Sequence, residues 1–86
     1  MRLVLLSEKA DKQIIDLPSK IQDQIYNALE LLENEAENLD IIKLKGKDNF
    51  YRVRKGDYRI IFKYQIETKV IYIVKVEHRK EVYKNI

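Results

Sequence analysis

The first half of the chain carries apolar residues at helical spacing behind one short apolar run. The run at residues 2–6 predicts a strand, and Ser7 directly after it is a favourable N-cap residue. Apolar residues then recur every three or four positions from Ala10 to Leu17, which predicts a helix that ends before Pro18.

A second helix is predicted to begin at Ser19. The segment "SKIQ" has the S-x-x-Q form of a capping box, in which Ser19 and Gln22 satisfy each other's backbone donors. The acidic segment "ENEAENLD", residues 33–40, lacks a helical period and is predicted to end this helix. One apolar stripe of the kind that packs on a core runs along it: Ile21, Ile25, Ala28, Leu29 and Leu32.

The second half changes to β-branched and aromatic residues in two runs. These are "FYRVRKGDYRIIFKY" at residues 50–64 and "KVIYIVKV" at residues 69–76, which follow a predicted loop at residues 43–49. Gly56 and its polar neighbours mark a tight hairpin turn that needs a positive φ, and a second turn is expected at residues 66–69. Three strands follow from this pattern.

These elements predict an α+β fold in one domain spanning residues 1–86, because a chain of this length supports a single hydrophobic core. The predicted order is an N-terminal strand, a two-helix hairpin, a three-stranded antiparallel meander and a short C-terminal helix. The helices are expected to pack on one face of the sheet.

Composition excludes several classes of protein. The chain has no cysteine, so a disulfide framework and a thiolate metal site are both ruled out. Charged residues follow the short apolar run at the start, and no apolar run reaches membrane-spanning length. We therefore expect a cytoplasmic protein that does not associate with a membrane.

The formal net charge of +3 hides a difference between the two halves of the chain. Residues 1–42 carry 4 basic and 9 acidic residues, a net charge of −5, whereas residues 43–86 carry 13 basic and 5 acidic residues, a net charge of +8. Such an excess favours a binding site for a polyanion over an ordinary solvated surface.

In residues 43–86, which we name the basic half, the predicted strands bring arginines together. Successive side chains of a strand point to opposite faces, so Arg52 and Arg54 share one face, about 6.6 Å apart. If the hairpin register places Arg59 beside them, three guanidiniums converge without an intervening acid, which favours an anion site; the alternative is three separately solvated arginines. Lys63 shares the face of Arg59, and the alternate positions of that strand are expected in the core: Tyr58, Ile60, Phe62 and Tyr64.

The basic half also contains the side-chain types that phosphodiester transfer requires. The reaction needs a proton acceptor for the attacking hydroxyl, cations beside the non-bridging oxygens and a proton donor for the leaving oxygen. His78 and Tyr83 are candidates for moving protons, although a structural role at the end of the last strand is the alternative for His78. The candidates for neutralising charge are Arg52, Arg54, Arg59 and Arg79.

The carboxylates of the basic half are scattered through turns and tail without ligand spacing, so neither a metal nor another cofactor is expected. RNA is then the natural substrate, because its own 2′-hydroxyl is an internal nucleophile that DNA lacks.

Two segments resemble the bacterial RelE/ParE toxin superfamily of toxin–antitoxin modules. They are "KLKGKDNFYRVRKGDYRIIF" at residues 43–62 and "VEHRKEVY" at residues 76–83, and the order of elements matches throughout. The resemblance implies a RelE-like microbial ribonuclease-type fold. It also implies a toxin that enters the ribosomal A site and cuts messenger RNA without metal, leaving a 2′,3′-cyclic phosphate.

The resemblance implies roles for individual positions. Arg52 and Arg54 match two basic residues of the first long strand, where lysine is common in the RelE branch. Arg59 matches the arginine that contacts the scissile phosphate, and Tyr83 matches the tail tyrosine that stacks on or orients the substrate base.

His78 and Arg79 match the basic cluster that precedes this tyrosine. Because arginine scarcely acts as a base and a free histidine has a pKa of about 6.5, we assign proton acceptance to His78. Lys43 and Lys45 match loop positions that hold the RNA backbone. The remaining lysines expected to contact RNA are Lys47, Lys55, Lys63 and Lys80.

The same resemblance implies a RelB-like antitoxin as partner, in a hetero-oligomer, together with the ribosome and its messenger RNA. Two alternatives stay open. A ParE-like toxin shares the fold but binds and poisons DNA gyrase without cutting RNA, and a pure interaction module would use its basic face only to bind an acidic antitoxin.

Overall fold

A computed structural model describes residues 1–35, 39–46 and 48–78 of the chain. Two helices precede most of a five-stranded mixed sheet, as an α+β fold requires. In chain order the elements are β1 (Leu3–Leu6), α1 (Glu8–Ile15), α2 (Ser19–Glu33), β2 (Ile41–Lys43), β3 (Phe50–Lys55), β4 (Tyr58–Gln65) and β5 (Val70–His78).

The strands lie in the spatial order β1-β5-β4-β3-β2. β1 runs parallel to β5, and the other neighbouring strands are antiparallel. The prediction of a three-stranded meander is therefore wrong in one respect, because β2 adds a fourth antiparallel strand beside β3. Three residues are too few to show a strand period, and pairing with β3 supplies the stability that local propensity does not. The predicted C-terminal helix lies outside the described residues.

Both predicted turns are confirmed. Gly56 has a φ of 57° between β3 and β4, and a positive φ at the first of two loop residues is typical of a type II′ hairpin turn. The second turn lies between Gln65 and Val70, where Lys69 also has a positive φ of 56°.

The predicted N-cap of α1 is confirmed, and the predicted capping box of α2 is not. Ser7 is the N-cap of α1, and its Oγ accepts a hydrogen bond from the Ala10 amide at 3.0 Å. The predicted capping box is wrong: Pro18 is the N-cap of α2, with no side-chain cap hydrogen bond, and Gln22 Nε2 instead donates to the carbonyls of Ile15 and Leu17 at 3.1 and 2.8 Å. Because Ser19 is already helical, its hydroxyl is not in the position of an N-cap.

The hydrophobic core lies between the helices and one face of the sheet. The predicted stripe of α2 contributes four buried residues, and α1 contributes two. Within the described ranges, neither helix is long and apolar enough to cross a membrane. The buried core residues are Ala10, Ile14, Ile25, Ala28, Leu29, Leu32, Val53, Ile60, Phe62, Ile71, Ile73 and Val76.

α1 closes the edge of β5 that β1 leaves uncovered. β1 pairs with β5 only from Val70 to Ile73. Beyond that point the Ser7 hydroxyl donates to the Val74 carbonyl at 2.7 Å, and the Val76 amide donates to Gln13 Oε1 at 2.7 Å. Two polar side chains thus replace a neighbouring strand and satisfy backbone groups that would otherwise be costly to bury.

We predict that Ser7→Ala lowers the free energy of unfolding by about 1–3 kcal/mol, because it removes the cap of α1 and leaves the Val74 carbonyl without its donor. Ser19→Ala is the matched control and should change stability by less than about 0.5 kcal/mol, since Ser19 makes no cap hydrogen bond. Urea denaturation measures both. Equal losses in the two variants would contradict the assignment of the cap to Ser7.

Candidate nucleic-acid interface

The β3–β4 hairpin separates apolar side chains from cationic ones. Val53 pairs with Ile60 on the face that packs against the core. Arg54 pairs with Arg59 on the opposite face, which we name the open face. Arg52 lies on the open face too, paired with Ile61, so the prediction that the three arginines share one face of the sheet is confirmed.

A groove of about 520 Å³ runs across the open face. Its wall is cationic and its floor is apolar, with a single carboxylate among the described lining residues. The cations are Lys9, Lys45, Arg52, Arg59 and Lys75, the carboxylate is Glu77, and the apolar residues are Leu44, Phe50, Ile61 and Val74.

The floor of this groove depends on an irregularity in β5. Ile61 pairs with Lys75 whereas the next residue, Phe62, pairs with Ile73, so Val74 is an extra residue in β5. Such a β-bulge redirects the side chains that follow it. Ile61 is only 8% exposed although it belongs to the open face, and it forms a dry surface between the cations.

Arg52 carries an unsatisfied hydrogen-bond donor beside the groove. Its Nη1 is shielded from solvent and has no hydrogen-bond partner among the described residues. A buried guanidinium N–H without an acceptor is costly, and a bound phosphate or carboxylate is the ligand whose geometry a guanidinium matches best. The groove therefore has the chemistry of an anion site.

One acidic residue interrupts the cations, contrary to the expectation that the arginines converge without an acid. Glu77 lies directly opposite Arg59 in the pairing of β4 with β5, and it forms an ion pair with Lys75. The groove still has a large excess of positive charge, with five cations around one carboxylate.

The structure does not bring His78 to the arginines. His78 pairs with Tyr58 on the core-facing side of the sheet, and the two rings meet edge to face with centroids 4.9 Å apart. Both line a separate cavity of about 240 Å³ together with Gln13, Asp16, Leu17 and Val76. Counting alternation from Ile71 would place His78 on the open face, and the bulge at Val74 reverses it.

The predicted lysines are distributed over the molecule. Lys45 lines the groove, and Lys63 lies on the open face opposite Phe50 and Tyr72, outside the groove. Lys43 belongs to β2 rather than to a loop, and it pairs with Tyr51, as a core-facing position does.

Lys55 also lies away from the groove: it pairs with Tyr58 and its Nζ lies 3.4 Å from Oδ1 of Asn27 on α2. The predictions that concern Lys47, Arg79, Lys80 and Tyr83 fall outside the described residues. Of the six lysines predicted to contact RNA, Lys45 is the one that lines the groove in the described part of the chain.

Sequence reasoning missed Lys9, Lys75 and Glu77. Lys9 reaches the groove from α1, which no local pattern indicates. For the other two a signal existed: a lysine at position 75 cannot continue the buried series of Ile71 and Ile73, so the period of the strand must shift before it. No group of three or more histidine, aspartate or glutamate side chains that could hold a metal ion is found among the described residues.

Comparison with known proteins matches almost the whole chain to toxins. Residues 4–83 match the model of the ParE toxin of the type II toxin–antitoxin system parDE. The putative toxin RelE1 of Methanocaldococcus jannaschii is 32% identical over 85 residues, which cover 95% of this chain and 94% of the relative. Toxin RelE3 of the same organism is 34% identical over 84 residues, 93% of each chain.

The fold is similar to a solved toxin complex. A crystal structure of the archaeal RelE–RelB complex from Pyrococcus horikoshii OT3 matches with a TM-score of 0.79 and 32% sequence identity, covering 91% of this chain and 94% of the other. The α+β arrangement of two helices and a five-stranded sheet is therefore shared.

Arg54 and Arg59 face each other, and the repulsion between them can be tested through the stability of variants. Arg54→Glu should raise the free energy of unfolding by about 0.2–1 kcal/mol, because it replaces like charges directly opposite each other by an ion pair. Lys63→Glu is the matched control: it makes the same charge change on the same face opposite Phe50 and Tyr72, and it should bring no such gain.

Both variants are compared by urea denaturation at low and high salt, since the gain of Arg54→Glu should shrink as salt screens the pair. Equal effects of the two substitutions would show that Arg54 and Arg59 do not repel each other.

Proposed function

The chain belongs to the ParE toxin family of type II toxin–antitoxin systems, within the RelE/ParE superfamily, and we propose that it is a RelE-like endoribonuclease that cuts messenger RNA in the ribosomal A site. The observation that carries this proposal is the groove on the open face, where the donor-rich Arg52 and Arg59 flank an apolar floor. A strand of RNA presents phosphates and unstacked bases, which fit cations and apolar surface respectively.

The proposed reaction uses the RNA's own 2′-hydroxyl. That oxygen attacks the neighbouring phosphorus, and negative charge builds up on the non-bridging oxygens. Arg59 and Arg52 neutralise this charge from one wall of the groove, which is the kind of preorganised stabilisation that lowers a barrier most. Neither role needs a metal ion, and the products are a 2′,3′-cyclic phosphate and a 5′-hydroxyl.

Residues 79–83 follow directly after β5 in sequence and are proposed to complete the site. Arg79 adds a cation, and Tyr83 stacks on the substrate base. His78 precedes them on the core-facing side, where its contact with Tyr58 fixes the end of β5. We therefore propose a structural role for His78 in place of the proton transfer expected from its residue type.

An antitoxin partner is part of the proposal. Two curated relatives carry the RelE name, and the solved relative is a complex of RelE with RelB. An acidic antitoxin would neutralise the excess of cations on the open face and occupy the groove in a hetero-oligomer. Action on translating ribosomes would place the toxin in the cytoplasm.

Poisoning of DNA gyrase is the second candidate function, because the family model that matches residues 4–83 is named after ParE. The two functions leave different products in a cell. RNA cleavage gives new messenger RNA ends at ribosome-bound codons, whereas a gyrase poison gives DNA breaks linked to the enzyme. Mapping both in the same induced cells separates the candidates.

We predict that the purified toxin cuts messenger RNA on programmed ribosomes and that Arg59→Ala lowers the single-turnover rate by about 10²-fold or more, the scale for losing one preorganised charge at a transition state. Lys69→Ala removes an exposed cation in the β4–β5 turn, outside the groove, and should leave the rate unchanged. Binding should weaken as salt rises, because contacts to phosphate release counterions.

The ribosome assay contains the divalent ions that keep ribosomes intact. A second assay uses short RNA in excess chelator, so that any cleavage observed there cannot depend on a metal ion. Loss of cleavage in both variants alike, or DNA breaks with intact messenger RNA, would contradict the proposed function.

A further inference from the structure

The five cations that line the groove leave open which side chain accepts the proton of the attacking hydroxyl. Lysine and arginine side chains are ordinarily protonated at neutral pH, so they stabilise charge and do not readily take a proton. His78 lies on the other side of the sheet. Among the described residues that line the groove, Glu77 is the one side chain that is ordinarily a base at neutral pH.

Glu77 lies beside Arg59, the residue proposed to contact the scissile phosphate. In the pairing of β4 with β5 it is directly opposite Arg59, and neighbouring side chains of such a pair have Cβ atoms about 4.5–5.5 Å apart. Its side chain is 26% exposed, so a substrate hydroxyl can approach it while most of the surrounding water is excluded. The groove surrounds it with the positive charges of Lys75, Arg59 and Arg52.

We propose that Glu77 is the general base of this toxin. The inference rests on the proposed ribonuclease function. The Glu77 carboxylate takes the proton of the 2′-hydroxyl as the bond from the 2′-oxygen to phosphorus forms. The bond from phosphorus to the 5′-oxygen breaks, and that oxygen takes a proton from water. Glu77 then returns its proton to water, so the reaction consumes no net proton.

The ion pair with Lys75 holds the Glu77 carboxylate among the cations of the groove. Cations face Glu77 from each element around the groove: Lys75 on β5, Arg59 on β4, Arg52 on β3, Lys45 after β2 and Lys9 on α1. No second carboxylate lines the groove in the described part of the chain to oppose them.

A different explanation for Glu77 is that it only relieves repulsion among the cations. The two explanations predict opposite results for Glu77→Gln, which keeps the size of the side chain and removes its charge. Both predict equal or tighter RNA binding, because one repulsion with phosphate is lost. A general base predicts a slower chemical step as well, whereas charge relief predicts an unchanged or faster one.

The test is single-turnover cleavage on programmed ribosomes at saturating toxin, with binding to the ribosomes measured for each variant. We expect Glu77→Gln to lower the rate by about 10²-fold or more, the usual contribution of a positioned general base, while binding stays equal or becomes tighter. Glu67→Gln removes an equivalent charge from the β4–β5 turn and should leave the rate unchanged.

Glu77→Asp gives a second measurement should the glutamine variant fold poorly. It keeps the base but shortens its reach, so it should be slower than the wild type and faster than Glu77→Gln. If Glu77→Gln cleaves at the wild-type rate while Arg59→Ala is slow, the general-base assignment is wrong and the ribonuclease function stands. If the wild type does not cut RNA at all, the proposed function itself is wrong.

Discussion

Burial of one face of the β3–β4 hairpin places the arginines of these strands on the other face. Val53 and Ile60 face each other and are fully buried against the helices, and burial of such side chains contributes about 1.5–3 kcal/mol each. A strand has a period of two residues, so this burial forces Arg54 and Arg59 onto the opposite face. The repulsion between them costs only about 0.2–1 kcal/mol, and the packing of the core decides the register.

The bulge in β5 determines which side chains of this strand lie on the open face. Before Val74, the buried residues are Ile71 and Ile73; after it the buried residue is Val76. This shift turns Lys75 and Glu77 toward the arginines and His78 toward the helices. The bulge is held from outside by Ser7, whose hydroxyl binds the Val74 carbonyl, so the start of α1 and the shape of the groove are coupled.

Sequence patterns predicted the parts of the molecule that follow a regular period. The stripe of α2 follows from the helical period, the turn from Gly56 and its polar neighbours, and the shared face of the arginines from the alternation of β3 and β4 once the turn sets their register. The structure confirms all three. The short strand β2 and the position of Lys9 depend on tertiary contacts that no local repeat encodes. His78 was assigned from its residue type, and one extra residue in its strand was enough to reverse its direction.

If the open face meets RNA, the lysines of the groove become protected from chemical modification when the toxin binds programmed ribosomes, and lysine footprinting measures this protection. Reductive methylation of the toxin, free and bound to programmed ribosomes, is followed by mass spectrometry. We expect Lys9, Lys45 and Lys75 in the groove to lose reactivity on binding, whereas Lys12 and Lys20, which are exposed on the helices and do not line the groove, stay reactive. Protection of Lys12 and Lys20 together with unchanged reactivity of Lys9, Lys45 and Lys75 would show that RNA does not meet the open face.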